Sequence, residues 1–259
     1  MKKQPNKLGA QKLLRSTRGF TLTEILIASG IATVIFGTLI AGYSLAAENG
    51  KASAVTTAAN SLKNAVTQFA QEHGNVVPIT EASAAGQIPT AGATFSAATF
   101  TALSNGTTLE TALLNEKCME RAMNLSVGPN LIATNPTAAD VLWDVTLQAF
   151  RMNPDAAPTR DYSLCNRLEC QVSNTTSPET AAGANFWLDG SSNIATGRRV
   201  VYLIIPNCPV SLAYKISRKI DGDNFSTNET TLDRKGAVVY NAPAPGTTMT
   251  TVYVYILDV

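Results

Sequence analysis

An apolar run from Phe20 to Ala47 is the feature that most limits how this chain can fold. The run contains a single charged side chain, Glu24. About 20 apolar residues are enough for a helix to cross the hydrocarbon core of a bilayer. A lone spanning segment must be helical, because only a helix satisfies its own backbone hydrogen bonds in lipid. The sequence therefore predicts a transmembrane helix over residues 20–47.

The segment before this run predicts the orientation of the helix. Residues 1–19 contain no acid, and their basic side chains are Lys2, Lys3, Lys7, Lys12, Arg15 and Arg18. Segments rich in lysine and arginine stay on the cytoplasmic side of a membrane span. We therefore expect the N-terminus in the cytoplasm and the chain beyond residue 47 on the exported side.

Glu24 requires a partner if it lies in the membrane. An ionisable side chain within a bilayer is costly unless another group pairs with it, and no lysine or arginine lies between residues 20 and 47. Glu24 is one helical turn from Phe20. Cleavage of the bond between Gly19 and Phe20 would create a positive amine there, on this chain or on a neighbour. We interpret that amine as the partner of Glu24.

The basic leader that ends in Gly19, followed by Phe20 and "TLTEILIA", resembles the class III signal of type IV prepilins and type II secretion pseudopilins. The match covers roughly residues 15–45. It implies that a prepilin peptidase cuts after Gly19 and methylates the Phe20 amine. It also implies that Glu24, the fifth residue of the mature chain, pairs with a neighbour's amine during assembly.

The resemblance further implies a location and a set of partners. The precursor would be a single-pass protein of the inner membrane with a periplasmic head, later assembled into a type IV pilus or a secretion pseudopilus. Its partners would be the peptidase and other pilin or pseudopilin subunits. Many major pilins have a proline about two-thirds along the membrane helix, where this chain has Gly42. This difference favours a minor pilin or a pseudopilin.

The sequence of the N-terminal segment leaves two alternatives open. A secretory signal peptide could be cut after Ala46, since small residues precede that position. The segment could also be an uncleaved anchor. The corresponding functions are a secreted or membrane-anchored surface-binding protein of the adhesin type, or an exported enzyme. The length of the apolar run and the charge near its start argue against a secretory signal.

Composition and motifs give little support for an enzyme or a nucleic-acid-binding protein. The formal net charge is +1, from 20 basic and 19 acidic side chains. Without the leader's six basic residues the balance is 14 against 19, or −5. The basic clusters in "GRRV" and "KISRKI" are interpreted as solvated strand edges. His73 is the one histidine, and no common catalytic or phosphate-binding motif is present, so we expect neither catalysis nor a cofactor.

Four cysteines lie in the predicted exported part, where disulfides persist: Cys118, Cys165, Cys170 and Cys208. Three pairings are possible. The short interval in "CNRLEC" favours Cys165 with Cys170, which leaves Cys118 with Cys208. A zinc site of four cysteines normally contains a pair two residues apart, and this spacing is absent.

An acidic loop near the C-terminus has a composition that suits calcium. Asp221 and Asp223, with Asn224 and Glu229, cluster oxygen ligands in "DGDNFSTNE". The spacing departs from that of an EF-hand loop. A polar hairpin loop accounts for the same residues, and no metal site is predicted.

The predicted helix extends beyond the membrane. Small or apolar residues recur at helical spacing at Leu45, Ala52, Val55, Ala59, Leu62, Val66 and Phe69. His73 and Gly74 supply the end of the helix. We therefore divide the chain into a leader (1–19), a transmembrane part (20–47), an exported amphipathic half-helix (48–74) and a globular head (75–259).

The head is predicted to combine short helices with a sheet. Thr107 and Glu110 suggest a capping box at the start of a helix. The segment 141–150 has a strand pattern, although a helix fits it nearly as well. The runs "RVVYLIIP", "PVSLAYKIS", "GAVVY" and "TVYVYILDV" are read as strands separated by turn residues. A long helix followed by an antiparallel sheet is an α+β fold, and this order is also pilin-like.

Overall fold

The computed structural model describes residues 21–80, 108–128, 141–144, 149–152, 165–179, 183–223, 225 and 232–259. The chain divides into two compact units, Met1–Leu45 and Ala46–Val259. The boundary between these units falls within the long N-terminal helix.

Helix α1 runs from Leu22 to Glu72 and is one continuous helix of 51 residues. It ends beside the predicted stop. Gly74 has a φ of +73°, and the Asn75 N–H donates to the Ala70 carbonyl at 2.6 Å. This six-to-one hydrogen bond with a left-handed glycine is a Schellman motif, which satisfies carbonyls that the helix end would otherwise leave without donors.

The second half of α1 buries the predicted apolar stripe, apart from its first member. Six of the predicted residues are at most 9% exposed: Ala52, Val55, Ala59, Leu62, Val66 and Phe69. Leu45 is 55% exposed. The stripe therefore begins at Ala52, and it packs into the main hydrophobic core of the head.

Two short elements precede the main sheet. Helix α2 spans Leu109–Asn115. Strands β1 (Val141–Asp144) and β2 (Ala149–Met152) form an antiparallel pair in which Trp143 lies opposite Phe150. The sequence predicted a single strand over residues 141–150, whereas the structure has two strands that pair with each other, and residues 145–148 lie outside the described part of the chain.

The main sheet has four strands, all antiparallel, in the order β3-β4-β6-β5. Its strands are β3 (Arg167–Val172), β4 (Arg199–Pro209), β5 (Val238–Tyr240) and β6 (Met249–Asp258). The long N-terminal helix and this sheet give an α+β layout, as the sequence predicted.

Both faces of the sheet are covered. Alternate residues of β4 point to opposite faces, as the pleat requires. Val201, Leu203 and Ile205 join the core that contains α1, while Val200 and Tyr202 join a second cluster with Phe186. Because both faces of β4 are buried, its sequence is a nearly continuous apolar run rather than an alternating one.

The strand predicted for "PVSLAYKIS" is wrong, because this segment forms helix α3, Val210–Asp221. Leu212, Ala213 and Ile216 are buried on one face at helical spacing. Pro209 lies at the N-cap with a φ of −56°, so β4 ends there and a helix can begin at the next residue. A short apolar run does not by itself distinguish a strand from a helix.

The capping box predicted for Thr107 and Glu110 is also wrong. The N-cap is Thr108, whose hydroxyl accepts a hydrogen bond from the Thr111 N–H at 3.1 Å. Thr107 lies outside the described residues. Glu110 is one position too early in the helix to close a box with Thr108, and its carboxylate accepts the Met123 N–H instead.

Candidate functional site

The first turn of α1 is closed by a reciprocal pair of side chains. The Glu24 Oε2 atom accepts hydrogen bonds from the Thr21 N–H at 2.8 Å and from the Thr21 hydroxyl at 3.0 Å. The Glu24 N–H donates back to the Thr21 Oγ1 at 3.2 Å. This arrangement is a capping box, which satisfies backbone donors at the start of the helix. A carboxylate is also favoured there by the helix dipole.

The capping box uses one oxygen of the Glu24 carboxylate. Among the residues that the structure describes, Oε1 receives no hydrogen bond, so it can accept one from a second molecule. Gly19 and Phe20 lie outside the described residues. Their predicted roles in cleavage and methylation therefore stay predictions.

The part of α1 that follows Glu24 is apolar and uncovered. Leu22, Phe36 and Ile40 are 79%, 63% and 70% exposed, and other large apolar side chains are exposed between them. Leu22–Glu72 is the one described helix that is long and apolar enough to cross a membrane. Exposed apolar surface around a whole helix is unfavourable in water, and lipid or other apolar helices would cover it.

The glycines of this segment present open backbone. A Cβ atom added at Gly30, Gly37 or Gly42 would meet no atom within 4 Å. No contact within the described chain therefore requires glycine at these positions. Small residues in membrane helices allow neighbouring helices to approach closely, and Gly37 and Ala41 have the spacing of a small-x-x-x-small pattern.

The predicted disulfide between Cys165 and Cys170 is wrong. All four cysteines belong to the described part of the chain, and each is present as a thiol. Cys170 lies in strand β3, and Cys165 precedes this strand by two residues. Strand β3 is extended from Arg167 to Cys170, which carries Cys170 roughly 10 Å away from Arg167, whereas bridged cysteines have Cα atoms within about 7 Å.

The second predicted disulfide, between Cys118 and Cys208, is wrong for a similar reason. The Cys118 sulfur lies 3.9 Å from the Glu72 carboxylate, near the end of α1. Cys208 lies close enough to Lys51 for the lysine charge to act on its thiol. Lys51 and Glu72 are separated by roughly 31 Å along the helix axis. Burial raises the pKa of the Cys170 and Cys208 thiols to about 12, which keeps them unreactive.

Two carboxylates of the acidic loop, those of Asp221 and Asp223, bind groups of the protein itself. The Asp221 carboxylate accepts the N–H groups of Ala237 and Val238 at 2.7 and 2.9 Å. Asp223 forms an ion pair with Arg218. Asn224 and Glu229 lie outside the described residues. The described carboxylates of this loop are thus directed at donors of the protein, and nothing in their arrangement favours calcium.

The remaining candidates for chemistry do not form a constellation. The His73 ring packs 4.4 Å from the Phe69 ring at the C-terminal end of α1. Within the described residues, no group of three or more His, Cys, Asp or Glu side chains is placed to hold a metal ion. The described part of the chain therefore offers one candidate site, the N-terminal turn of α1 with the apolar helix behind it.

Comparison of the chain with family models, with curated proteins and with solved structures finds no match. Its function is therefore inferred from the residues of α1 and their surroundings.

Sequence reasoning missed the role of Thr21. The signal was present, because Thr21 and Glu24 have the T-x-x-E spacing of a capping box directly before an apolar run. In the sequence, the Glu24 carboxylate stands out only as a charge in a membrane segment. The structure shows that it also stabilises the start of its own helix.

Proposed function

We propose that this chain is a pilin-like structural subunit, processed after Gly19 and assembled through α1 into a type IV pilus or a secretion pseudopilus. The observation that carries the proposal is the contrast between the two parts of α1. Its first part is apolar and exposed and holds one carboxylate, in the first turn. Its second part is fixed in the core of a folded head. A subunit that is stored in lipid and assembled by its helix needs both properties.

The position of Glu24 supports an assembly role beyond capping. Cleavage after Gly19 would leave the Phe20 amine immediately before the N-cap residue Thr21. A positive amine at a helix N-terminus is opposed by the helix dipole, so a carboxylate there is favourable. The Glu24 Oε1 can accept a hydrogen bond from the amine of a neighbouring subunit while Oε2 keeps its hydrogen bonds to Thr21.

Pairing would then guide the transfer from lipid to filament. A charge enters an apolar bundle at great cost unless an opposite charge enters with it. Two subunits in the correct register bring one amine and one carboxylate together. Subunits in another register would bury both charges without partners, so the pair would select the register of assembly.

The exposed glycines agree with a helical bundle as the final surroundings of the helix. In a filament core, the open backbone at Gly37 and Gly42 would let neighbouring helices approach more closely than leucine or isoleucine would allow. The head, fixed on the second half of α1, would face outward and present its loops.

Mass spectrometry of the mature N-terminus tests this proposal. We expect the protein from its native membrane to begin with an N-methylated Phe20. A chain that retains Met1, or one that begins at Ala47, would contradict the proposal. Correct processing without incorporation into filaments would instead favour a membrane-anchored surface-binding protein.

A further inference from the structure

Helix α3 carries a basic surface that lies against the first exported turns of α1. Lys215 forms an ion pair with Glu48, and the Lys219 ammonium donates to the Ser53 hydroxyl at 2.5 Å. Arg218 and Lys219 are exposed, as is Lys51 on α1. We call Lys51, Lys215, Arg218 and Lys219 the basic patch. It accounts for the "KISRKI" cluster, which lies on this helix and not on the strand edge that the sequence predicted.

The residues of α1 that the basic patch contacts follow the predicted membrane segment closely in the chain. Glu48 directly follows Ala47, the last residue of that segment, and Ser53 lies about 9 Å further along the helix axis. The headgroup layer of a bilayer extends roughly 5–8 Å beyond each side of the hydrocarbon core. Because Lys215 and Lys219 contact Glu48 and Ser53, a bilayer that ends at Ala47 would bring its headgroups near these charges.

Part of the positive charge of the basic patch is not matched by described carboxylates. Lys215 is paired with Glu48, and its hydrogen bond lowers the pKa of that carboxyl. Arg218 is paired with Asp223, which is itself exposed.

The two other lysines are different. Among the described residues, no carboxylate lies within ion-pair distance of Lys51 or of Lys219, although Lys51 acts on Glu48 at longer range and helps to lower its pKa. Since the chain beyond the leader has a net charge of −5, a basic surface here is opposite in sign to that part of the chain. The overall charge of the protein therefore does not account for the basic patch.

We propose that the basic patch binds the phosphate groups of anionic phospholipids in the exported leaflet of the membrane that α1 crosses. Ammonium groups bind phosphate as point charges, and the guanidinium of Arg218 presents a planar set of donors for phosphate oxygens. Each basic side chain near an anionic surface favours association by roughly fivefold. This inference rests on the membrane-anchored part of the proposed function and does not depend on filament assembly.

The consequence for the protein is a head held against the bilayer. Contacts from α3 to lipid would add to the anchor that α1 provides and would restrain the head before assembly. Removal of the subunit from the membrane would then require the release of these lipids as well as of the helix.

The test uses the full chain in bilayers made of equal amounts of phosphatidylcholine and phosphatidylglycerol. Carbonate extraction first establishes that the chain is integral to the membrane. Spin-labelled forms of the two lipids then report the association constant of the anionic lipid relative to the zwitterionic lipid. The variant K51Q/K219Q is compared with the wild type, at low and at high salt.

The matched control is K63Q. Lys63 is an exposed lysine on the same helix, but it lies about 24 Å beyond Ala47, well outside the screening length of about 8 Å at physiological salt. The basic leader is identical in all variants, so its own attraction for anionic lipid cancels in the comparison.

We expect the wild type and K63Q to show the same preference for phosphatidylglycerol. In K51Q/K219Q the preference for phosphatidylglycerol should fall by up to about fivefold for each lysine replaced. High salt should abolish the difference between this variant and the wild type. An integral chain with equal preference in all three proteins would overturn the lipid inference alone. Release by carbonate would overturn both this inference and the proposed function. Unchanged lipid preference with impaired filament incorporation of K51Q/K219Q would assign the basic patch to a subunit contact instead.

Discussion

Glu24 and Thr21 cap the first turn of α1 reciprocally, and both hydrogen bonds to the Glu24 carboxylate reach the same oxygen atom, at 2.8 and 3.0 Å. Two roles therefore meet in one side chain. One oxygen stabilises the start of the helix, and the proposed function assigns the negative charge to a neighbouring subunit. A substitution that removes the whole side chain cannot separate these roles, whereas one that removes only the charge can.

Replacement of Gly19 by leucine should leave full-length precursor in the membrane. The resemblance to prepilin signals implies a peptidase that accepts a small residue before the cut, and a leucine side chain would obstruct it. Immunoblotting and mass spectrometry of the membrane fraction measure the processed share. Gly19→Ala is the control and should be processed. Normal processing of the leucine variant would reject Gly19 as the cleavage position.

The cysteines should all react as thiols in unfolded, unreduced protein. We expect four alkyl groups to be added in denaturant, because every cysteine is a thiol in the structure. In the folded protein Cys118 alone should react, and slowly, since burial and the nearby Glu72 carboxylate raise its pKa to about 11. Intact-mass measurement counts the added groups. Two or fewer groups in denaturant, with four after reduction, would show a disulfide.

Glu110 should make the protein less stable as pH rises. Complete burial raises the pKa of this carboxyl from 4.5 to about 7 in the folded protein. Between these values the folded state binds more protons than the unfolded state, so the free energy of unfolding falls with increasing pH. The loss is about 3 kcal/mol between pH 4.5 and pH 7.

Glu110→Gln tests this prediction, because glutamine keeps an acceptor for the Met123 N–H and has no charge. Burial also raises the pKa of Asp221, to about 6. Asp221 therefore makes the free energy of unfolding fall with increasing pH in both the wild type and the variant. Thermal unfolding between pH 5 and 8 should therefore show a shallower decline for the variant than for the wild type. Parallel curves would contradict the assignment.

Gly236→Ala should be strongly destabilising. Gly236 has a φ of +89°, and an added Cβ would lie 2.4 Å from the Asp221 carboxyl carbon. Gly246 provides the control, because its φ is +82° but a Cβ there meets nothing within 4 Å. Both alanine variants incur the backbone strain of a left-handed residue, on the order of 1–3 kcal/mol. In denaturant titrations, the larger loss for Gly236→Ala measures the clash, and equal losses would exclude it.

The parts of the fold that the sequence predicted are those with long or regular patterns. The stripe from Ala52 to Phe69 repeats over five turns, and the residues of β4 and β6 are β-branched and aromatic over long runs. Such patterns depend on local geometry and burial alone, so they can be recognised without knowledge of neighbouring elements.

The sequence predictions that were wrong depend on the exact boundary of one element or on contacts between residues far apart in the chain. The nine residues "PVSLAYKIS" are too short for periodicity to decide between strand and helix. The start of α2 differs by one residue from the predicted capping box. The cysteine pairings failed because spacing along the chain does not reveal that strand β3 begins at Arg167, between Cys165 and Cys170. Lys215 and Glu48, which place α3 on α1, are 167 residues apart in sequence.

The central claim is that the charge of Glu24, rather than its cap, drives assembly. Glu24→Gln removes the charge and keeps a side chain able to complete the capping box with Thr21. Thr21→Val removes the capping hydroxyl and leaves the carboxylate. The measurement is the fraction of processed, membrane-inserted subunits that enter filaments, with processing and membrane content confirmed for each variant. We predict that Glu24→Gln incorporates poorly while Thr21→Val incorporates close to the wild-type level. Wild-type incorporation of Glu24→Gln would contradict the account.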